Sequence, residues 1–287
     1  MTEPAPKKGI VWLASYPRSG NTWTRNFLYN LINITGDRQH DADINKIADT
    51  SVWDIVGKRF EGVVGKPLKS ATREEIAAAR PLVQRDIADG ATGPILVKTH
   101  NALVMDFGTP TINMRVTAGA VYIVRNPLDA VISNAHHFTI DIDAAITRLG
   151  RRGEETEVTQ HTAYEVYGSW SENVSSWTAK PHRAILAVRY EDMLAEPVKT
   201  FRKLANHLMI EASNTQLEQA IELSSFERAK KQEQEKGYRE RPENSKAFFR
   251  EGRAEQWRDV LNEAQIARIV SDHREQMARF GYIPAGL

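Results

Sequence analysis

A strand-like run at residues 9–14, Gly-Ile-Val-Trp-Leu-Ala, stops at Ser15-Tyr16-Pro17-Arg18-Ser19-Gly20-Asn21-Thr22-Trp23, and a helical pattern begins directly behind it. This passage constrains the fold more than any other: a buried strand must turn sharply into a helix through small and hydroxyl residues. The first N–H groups of a helix have no partner inside it, and the helix dipole makes that end positive. The passage is therefore a cradle for an anion. Gly20 lets the backbone approach the anion closely, Arg18 supplies charge, and Ser19, Asn21 and Thr22 supply donors or a cap.

Three more apolar runs, 95–97, 120–124 and 184–188, are rich in Val, Ile and Leu without strict alternation, as in parallel strands covered on both faces. Helical patterns lie between and after them. Asn21 or Thr22 opens the first, with Trp23, Phe27, Leu28 and Leu31 as its apolar stripe. Pro127 sits at a favourable first helical position with Asn126 as cap, Pro197 opens another helix, and the last runs from Glu263 to Arg279. Strands alternating with helices predict an α/β fold, a single domain with a central, mostly parallel sheet flanked by helices. Two stretches break the pattern: 140–168 is polar and 228–247 densely charged. Each reads as a solvated helix or loop, or as a lid that orders over ligand.

The 287 residues allow one large α/β domain or two small ones. A net charge of +1 argues against a protein that coats nucleic acid. The chain has no cysteine, which excludes disulfides, thiolate metal sites and cysteine nucleophiles. No segment approaches the ~20 apolar residues of a membrane helix, and residues 1–8 read as a polar, disordered tail without a secretory signal. The expectation is a cytoplasmic protein without nucleic-acid or membrane partners.

Each strand candidate ends in polar residues. The second runs into Lys98-Thr99-His100, the third into Arg125, the fourth into Arg189-Tyr190. Ligands of open parallel sheets bind outside the carboxyl ends of the strands, so Arg18, Lys98, His100 and Arg125 are expected to converge on a multiply charged anion. In the helix after Arg125, Asp129, Ser133, His136 and His137 share a polar face, which sets Ser133 beside Arg125 for a second phosphate; back-bonding of Ser133 to its own helix fits the spacing equally well. His100 suits a general base, with His136 and His137 as competitors. The histidines show no metal-ligand spacing with carboxylates, so no metal is expected.

The loop resembles a P-loop but lacks the Lys-Ser/Thr that would hold nucleotide phosphates and Mg²⁺. Tyr16-Pro17-Arg18-Ser19-Gly20-Asn21-Thr22-Trp23 instead resembles the 5′-phosphosulfate loop of sulfotransferases that use 3′-phosphoadenosine 5′-phosphosulfate (PAPS). Val97-Lys98-Thr99-His100 resembles that family's catalytic-histidine strand end, Tyr122-Ile-Val-Arg125-Asn-Pro127 through Ser133 its 3′-phosphate motif, and Phe248-Phe249-Arg250-Glu251-Gly252 with Trp257 its C-terminal motif. Weaker matches are Arg189-Tyr190-Glu191-Asp192, Ser224-Ser225-Phe226, and Gly168-Ser-Trp170 through Trp177.

The resemblance implies a nucleotide-kinase-like α/β fold and in-line sulfonyl transfer without a metal. Arg18 takes the place of the family's loop lysine at the departing sulfonate. Ser19, Gly20, Asn21 and Thr22 hold the 5′-phosphosulfate, Lys98 helps bind the sulfonate, and His100 deprotonates the acceptor. Arg125, Ser133, Arg250 and the backbone at Gly252 grip the 3′-phosphate. Trp23 and Phe226 sandwich the adenine. Tyr190, Ser224, Phe249 and Glu251 complete the implied nucleotide contacts. The product is 3′-phosphoadenosine 5′-phosphate (PAP). The implied acceptor is a small hydroxylated molecule: a phenol, alcohol, sugar or glycopeptide-like compound. Phe138, Tyr164, Tyr167 and Trp170 are candidates for its pocket, with core packing as the other reading. A nucleotide or small-molecule kinase and a non-catalytic nucleotide-binding module are the competing classes.

Two positions depart from the pattern. Arg18 stands where lysine is commoner, and Glu251 stands where many members carry lysine. The dimer motif of animal cytosolic members is not recognisable around residues 258–267, which leaves a homodimer open.

Overall fold

The computed structural model describes residues 8–241 and 247–287. The expected tail at 1–8 therefore lies, apart from Lys8, outside the described residues, as does 242–246 of the charged stretch. In chain order the elements begin with β1 (Gly9–Ser15), α1 (Asn21–Thr35), β2 (Ser51–Trp53), α2 (Gly57–Val64), α3 (Arg73–Asp89) and β3 (Pro94–Thr99). Next come β4 (Met105–Asp106), β5 (Thr109–Pro110), β6 (Thr117–Val124), α4 (Pro127–Phe138), α5 (Ile142–Gly150), α6 (Trp170–Thr178) and β7 (Ile185–Arg189). The chain ends with α7 (Tyr190–Ala195), α8 (Pro197–His207), α9 (Asn214–Leu223), α10 (Phe226–Lys236), α11 (Trp257–Val260) and α12 (Glu263–Arg279). The four expected strands are β1, β3, β6 and β7. Sequence reading missed β2, which at three residues is too short to show a pattern, and the two-residue strands of the β4–β5 hairpin.

The chain divides into two compact units. The first comprises residues up to Tyr16, Ser51–Tyr122 and Arg151–Ala187; the second comprises Pro17–Thr50, Ile123–Gly150 and Val188–Leu287. The sheet belongs to the first unit, in the order β2-β3-β1-β6-β7, with only the last two residues of β6 and β7 passing into the second. β1 runs parallel to β3, with Leu13 opposite Lys98 and Ala14 opposite Thr99, and β2 runs parallel to β3, with Trp53 opposite Lys98. Ile10, Trp12, Leu13 and Ala14 are fully buried, as are Ala120, Val121 and Tyr122. These continuous apolar runs are what a sheet covered on both faces requires. α3 packs against β1. From α6, Trp177 stacks on Tyr122 at 6.1 Å between centroids, and Asn173 accepts the Tyr122 O–H at 2.9 Å. Residues 151–168, the larger part of the polar stretch, form a folded-back extended segment in which Thr156 N–H donates to Glu165 O at 2.9 Å and Tyr167 N–H to Glu154 O at 2.7 Å.

The second unit is helical. α1 packs against α9, α8 against α9, and α4 against α5 and α12. Phe201 of α8 is completely buried, 4.2 Å from Phe27 and 5.4 Å from Trp23, both on α1. A smaller apolar cluster gathers Ile44, Ile47, Ala229, Tyr238 and Phe249, with Phe226 and Phe248 against it. It joins α10 to the C-terminal segment although α10 itself is mostly charged. α10 forms the first nine residues, 228–236, of the stretch 228–247 that the sequence marked as a break.

Because Phe201 fills the space behind the start of α1, Phe201→Ala leaves a cavity there, at a cost of about 3–5 kcal/mol. Chemical denaturation should show that loss as a lower midpoint with an unchanged slope.

Candidate functional site

The second unit carries the loop that the sequence reads as an anion cradle. α1 starts with Gly20 as its N-cap, in the left-handed region at φ 103°, and no side chain caps the helix. Asn21 opens the helix, as expected from the sequence, and of the two roles open to Ser19, Asn21 and Thr22, donor or cap, the cap position is taken by Gly20. Gly20 is required twice over. Its φ is costly for other residues, and a Cβ there would lie 2.7 Å from the Tyr190 ring. Ser19 is fully buried, and its hydroxyl has no partner among the described residues. A buried, unspent hydroxyl beside an uncapped helix start fits an oxyanion ligand.

Arg18 adopts φ 67°, which is unusual for a residue with a side chain. Its Nε donates to Ser133 Oγ at 3.0 Å, and its Nη2 donates to Phe248 O at 3.2 Å. The guanidinium also sits 4.2 Å over the Phe248 ring. Arg125 Nη1 donates to Arg18 O at 3.1 Å, its Nη2 to Arg253 O at 3.4 Å, and it lies 4.5 Å over the Tyr190 ring. Burial first, and the neighbouring Arg125 charge second, lower the Arg18 pKa to about 10. Arg18, Ser133 and Arg125 thus meet as the sequence predicted.

α4 positions two of these groups. Pro127 takes the first helical turn and Asn126 caps it, its Oδ1 accepting Leu128 N–H at 3.0 Å. Asp129 does not face the anion with Ser133. It is buried and accepts Glu255 N–H at 2.7 Å and Trp257 N–H at 3.1 Å, pinning the C-terminal segment. The rest of that segment is pinned by Glu233 of α10, whose two oxygens accept Phe248 N–H at 2.8 Å and Phe249 N–H at 2.9 Å. Gly252, at φ 64°, crosses the Phe226 ring so closely that a Cβ would sit 2.3 Å from its Cγ. Arg250 donates to Gln256 Oε1 at 2.9 Å, and Glu251 pairs with Arg250 at 3.4 Å and Arg253 at 2.9 Å.

Other implied nucleotide contacts have different partners here. Trp23 packs edge-on to Tyr190 at 5.8 Å and against Phe201, whereas Phe226 packs with Phe249 at 6.2 Å. Ser224 caps the end of α9 and donates to Ile221 O at 3.1 Å. His136 has its pKa lowered by burial and by Arg250, and His137 lies against Phe138 and Phe248.

The first unit carries the strand end with His100. The imidazole Nδ1 is 2.8 Å from Ser15 O and 3.2 Å from Ser15 Oγ. A carbonyl oxygen only accepts, so Nδ1 carries the proton and Nε2 keeps the lone pair, the tautomer a general base needs. Lys98 Nζ stands 3.7 Å over the Trp53 ring, its neighbour in register. Two carboxylates lie beneath this strand end. Asp54 Oδ2 accepts Thr99 Oγ1–H at 3.1 Å and Asn101 Nδ2–H at 3.2 Å, and Glu165 Oε1 accepts His100 N–H at 2.8 Å. Burial, then the charge of Glu165, pushes Asp54 up to about 7.

Of the aromatics proposed for an acceptor pocket, Tyr164 and Trp170 are fully buried core residues, and Tyr164 donates to Asp106 at 2.6 Å. Tyr167 stands edge-on to both His100 and Tyr16, at 6.0 and 6.2 Å. Phe138, on α4, packs under Arg148 at 3.8 Å. Sequence reading missed Trp53, Asp54, Glu165 and Glu233. Glu165 lay between the tyrosines of a stretch read as loop, and Glu233 lay in a run of charges that reads as solvated.

Glu233→Ala removes charge-assisted bonds from two consecutive amides, so exchange of the Phe248 and Phe249 N–H groups should accelerate at least tenfold by mass spectrometry or NMR. Asp54 is protonated more readily in the folded chain than in the unfolded one, where its pKa is about 3.9. Its contribution to stability is therefore complete below about pH 4 and is lost as pH rises through about 7. Asp54→Asn keeps an acceptor for Thr99 and stays neutral. The melting temperature of this variant relative to wild type should rise between pH 5 and 8; a difference that stays flat over that range would place the ordinary pKa on Asp54.

Residues 8–281 match the sulfotransferase domain family. Dog sulfotransferase 1B1 is 25% identical over 93% of this chain and 83% of its own length. Flavonol 3-sulfotransferase of Flaveria bidentis is 24% identical over 95% and 83%, and cytosolic sulfotransferase 16 of Arabidopsis thaliana is 27% identical over 90% and 72%. Among solved structures, retinol dehydratase with androsterone and the inactive cofactor PAP superposes with a TM-score of 0.63 at 20% identity, covering 93% of this chain and 80% of that one. A mouse sulfotransferase complexed with PAP gives 0.61 at 19%, covering 96% and 90%. These similarities favour sulfonyl transfer over the kinase reading, and the family match extends across both compact units: the chain belongs to the sulfotransferase family.

Proposed function

We propose that this protein transfers the sulfonate of PAPS to the hydroxyl of a small acceptor, with His100 as general base and Arg18 and Lys98 at the sulfonate. The observation that carries this reading is the pairing of the buried Arg125 with the partly exposed Arg18 in the loop before α1. Ser133, Arg250 and the backbone at Gly252 suit the 3′-phosphate; the loop 18–22 suits the 5′-phosphosulfate; Trp23 and Phe226 offer faces to adenine. Tyr190, Ser224, Phe249 and Glu251 complete the proposed nucleotide site, chiefly by holding these groups. The relatives support it: two of the solved structures hold PAP, one of them together with androsterone, and another relative is named for sulfonating a flavonol.

In the proposed reaction, His100 Nε2 takes the acceptor's hydroxyl proton while the oxygen's electron pair forms the new S–O bond. The bond from sulfur to the 5′-phosphate oxygen breaks, and its electrons leave on PAP, where Arg18 neutralises them. Nδ1, fixed on Ser15 O, keeps the imidazole oriented throughout. Arginine and lysine side chains thus do the charge work that Mg²⁺ does in kinases. We take the protein to act in the cytoplasm, away from membranes and nucleic acid, with a homodimer left to measurement.

PAP without metal should raise the melting temperature of the wild type, and Arg125→Ala should lose most of that shift. Protection by ATP with Mg²⁺ and none by PAP would return the reading to a kinase. Labelled sulfonate from PAPS, offered to a panel of phenols, alkyl alcohols, sugars and glycopeptides, should identify the acceptor class. His100→Ala should then keep the PAP shift and lose about 10²–10⁴-fold in turnover.

A further inference from the structure

Glu165 accepts the main-chain N–H of His100 at 2.8 Å through one oxygen and the hydroxyl of Tyr167 at 3.3 Å through the other. Tyr167 itself stands edge-on to the His100 ring. Asn173 adds a second hold on the same residue by donating to His100 O at 3.0 Å. The charged groups around Glu165 are Lys98 on β3, Arg80 on α3, and Asp54 just beyond β2. Glu165 has Lys98 as its strongest cationic neighbour and receives a main-chain donor, whereas Asp54 receives side-chain donors only and has one oxygen without a partner among the described residues.

We propose that Glu165 is a positioning residue for the reaction: it fixes the His100 main chain and keeps a negative charge beside the imidazole and Lys98. The proposal rests on the reading of His100 as the base. Burial raises both carboxyl groups, the charge of Glu165 raises Asp54 further, and the donor set decides which of them ionises first. The charge settles on Glu165, and Asp54 holds the proton. A carboxylate at this position favours the imidazolium that forms when Nε2 takes the acceptor proton. It also offsets Lys98, so that the strand end carries little net charge before the sulfonate arrives.

The test is the titration of His100 by NMR in the full chain, with its imidazole signal assigned by its loss in His100→Ala. Glu165→Gln keeps the shape and an acceptor for the His100 N–H but removes the charge, so the His100 midpoint should fall by ~0.5–1 unit. Glu165→Asp should restore most of that shift. A purely structural role for Glu165 would leave the midpoint where it is, and an unchanged midpoint in Glu165→Gln overturns the proposal. Should Glu165→Gln not fold, the carboxyl carbon of Glu165 in ¹³C-labelled wild type answers the same question. A carboxyl that is ionised throughout the His100 titration supports the proposal; a neutral one overturns it. The base assignment fails separately: a His100→Ala variant with normal turnover sinks that reading whatever the midpoint does.

Discussion

The second unit is organised around one electrostatic problem, two guanidiniums held side by side. Arg18 and Arg125 repel each other, and burial removes the water that would screen them. Arg18 leans on a hydroxyl, a carbonyl and a ring face; Arg125 leans on two carbonyls and a ring face. Those partners are dipoles, and a phosphate or sulfonate competes with dipoles easily where it would not displace a bidentate carboxylate. The nearby acids are occupied elsewhere: both oxygens of Asp129 and both of Glu233 accept main-chain N–H groups.

The first unit solves the opposite problem. Around the end of β3 it buries two carboxyl groups, Asp54 and Glu165, with Lys98 and Arg80 as cationic neighbours and the His100 main-chain N–H donating to Glu165. Each residue from Thr99 to Asn101 is fixed to one of those carboxyl groups or to Asn173, so His100, the proposed base, is held at the strand end by several bonds. Rigidity matters for in-line transfer because a small displacement of the base from the acceptor hydroxyl lowers the rate steeply.

The parts that sequence made visible are those written in local order. The strand–loop–helix passage, the continuous apolar runs of β1 and β6, Pro127 behind Asn126, and the limits of α12 all follow from neighbours within a few residues. The meeting of Arg18, Ser133 and Arg125 was legible because strand ends in a parallel sheet share an edge. What stayed hidden depends on distant pairing. Glu233 looks like one more surface charge until Phe248 and Phe249 are laid against it, 15 and 16 residues away. Asp54 and Glu165 lie 111 positions apart (165 − 54) and become a pair only through the folding of 151–168. The helix opens at Asn21 as the sequence indicated, but the cap itself falls to Gly20, where a Cβ would meet the Tyr190 ring and φ lies in the left-handed region.

The two departures from the family pattern make sense together. A lysine at position 18 would present one compact ammonium, whereas the planar fork of Arg18 divides its donors between Ser133 on α4 and Phe248 O in the C-terminal segment, with its face on the Phe248 ring. The arginine therefore ties the loop to the segment that carries Arg250. Glu251 is not merely a lost cation in that segment. It pairs with Arg250 and with Arg253, and the Arg253 carbonyl in turn receives Arg125. Charge given up at 251 returns as orientation of two arginines, and the point charge given up at 18 returns as a link between loop and segment. Each substitution exchanges charge for connectivity within the same cluster.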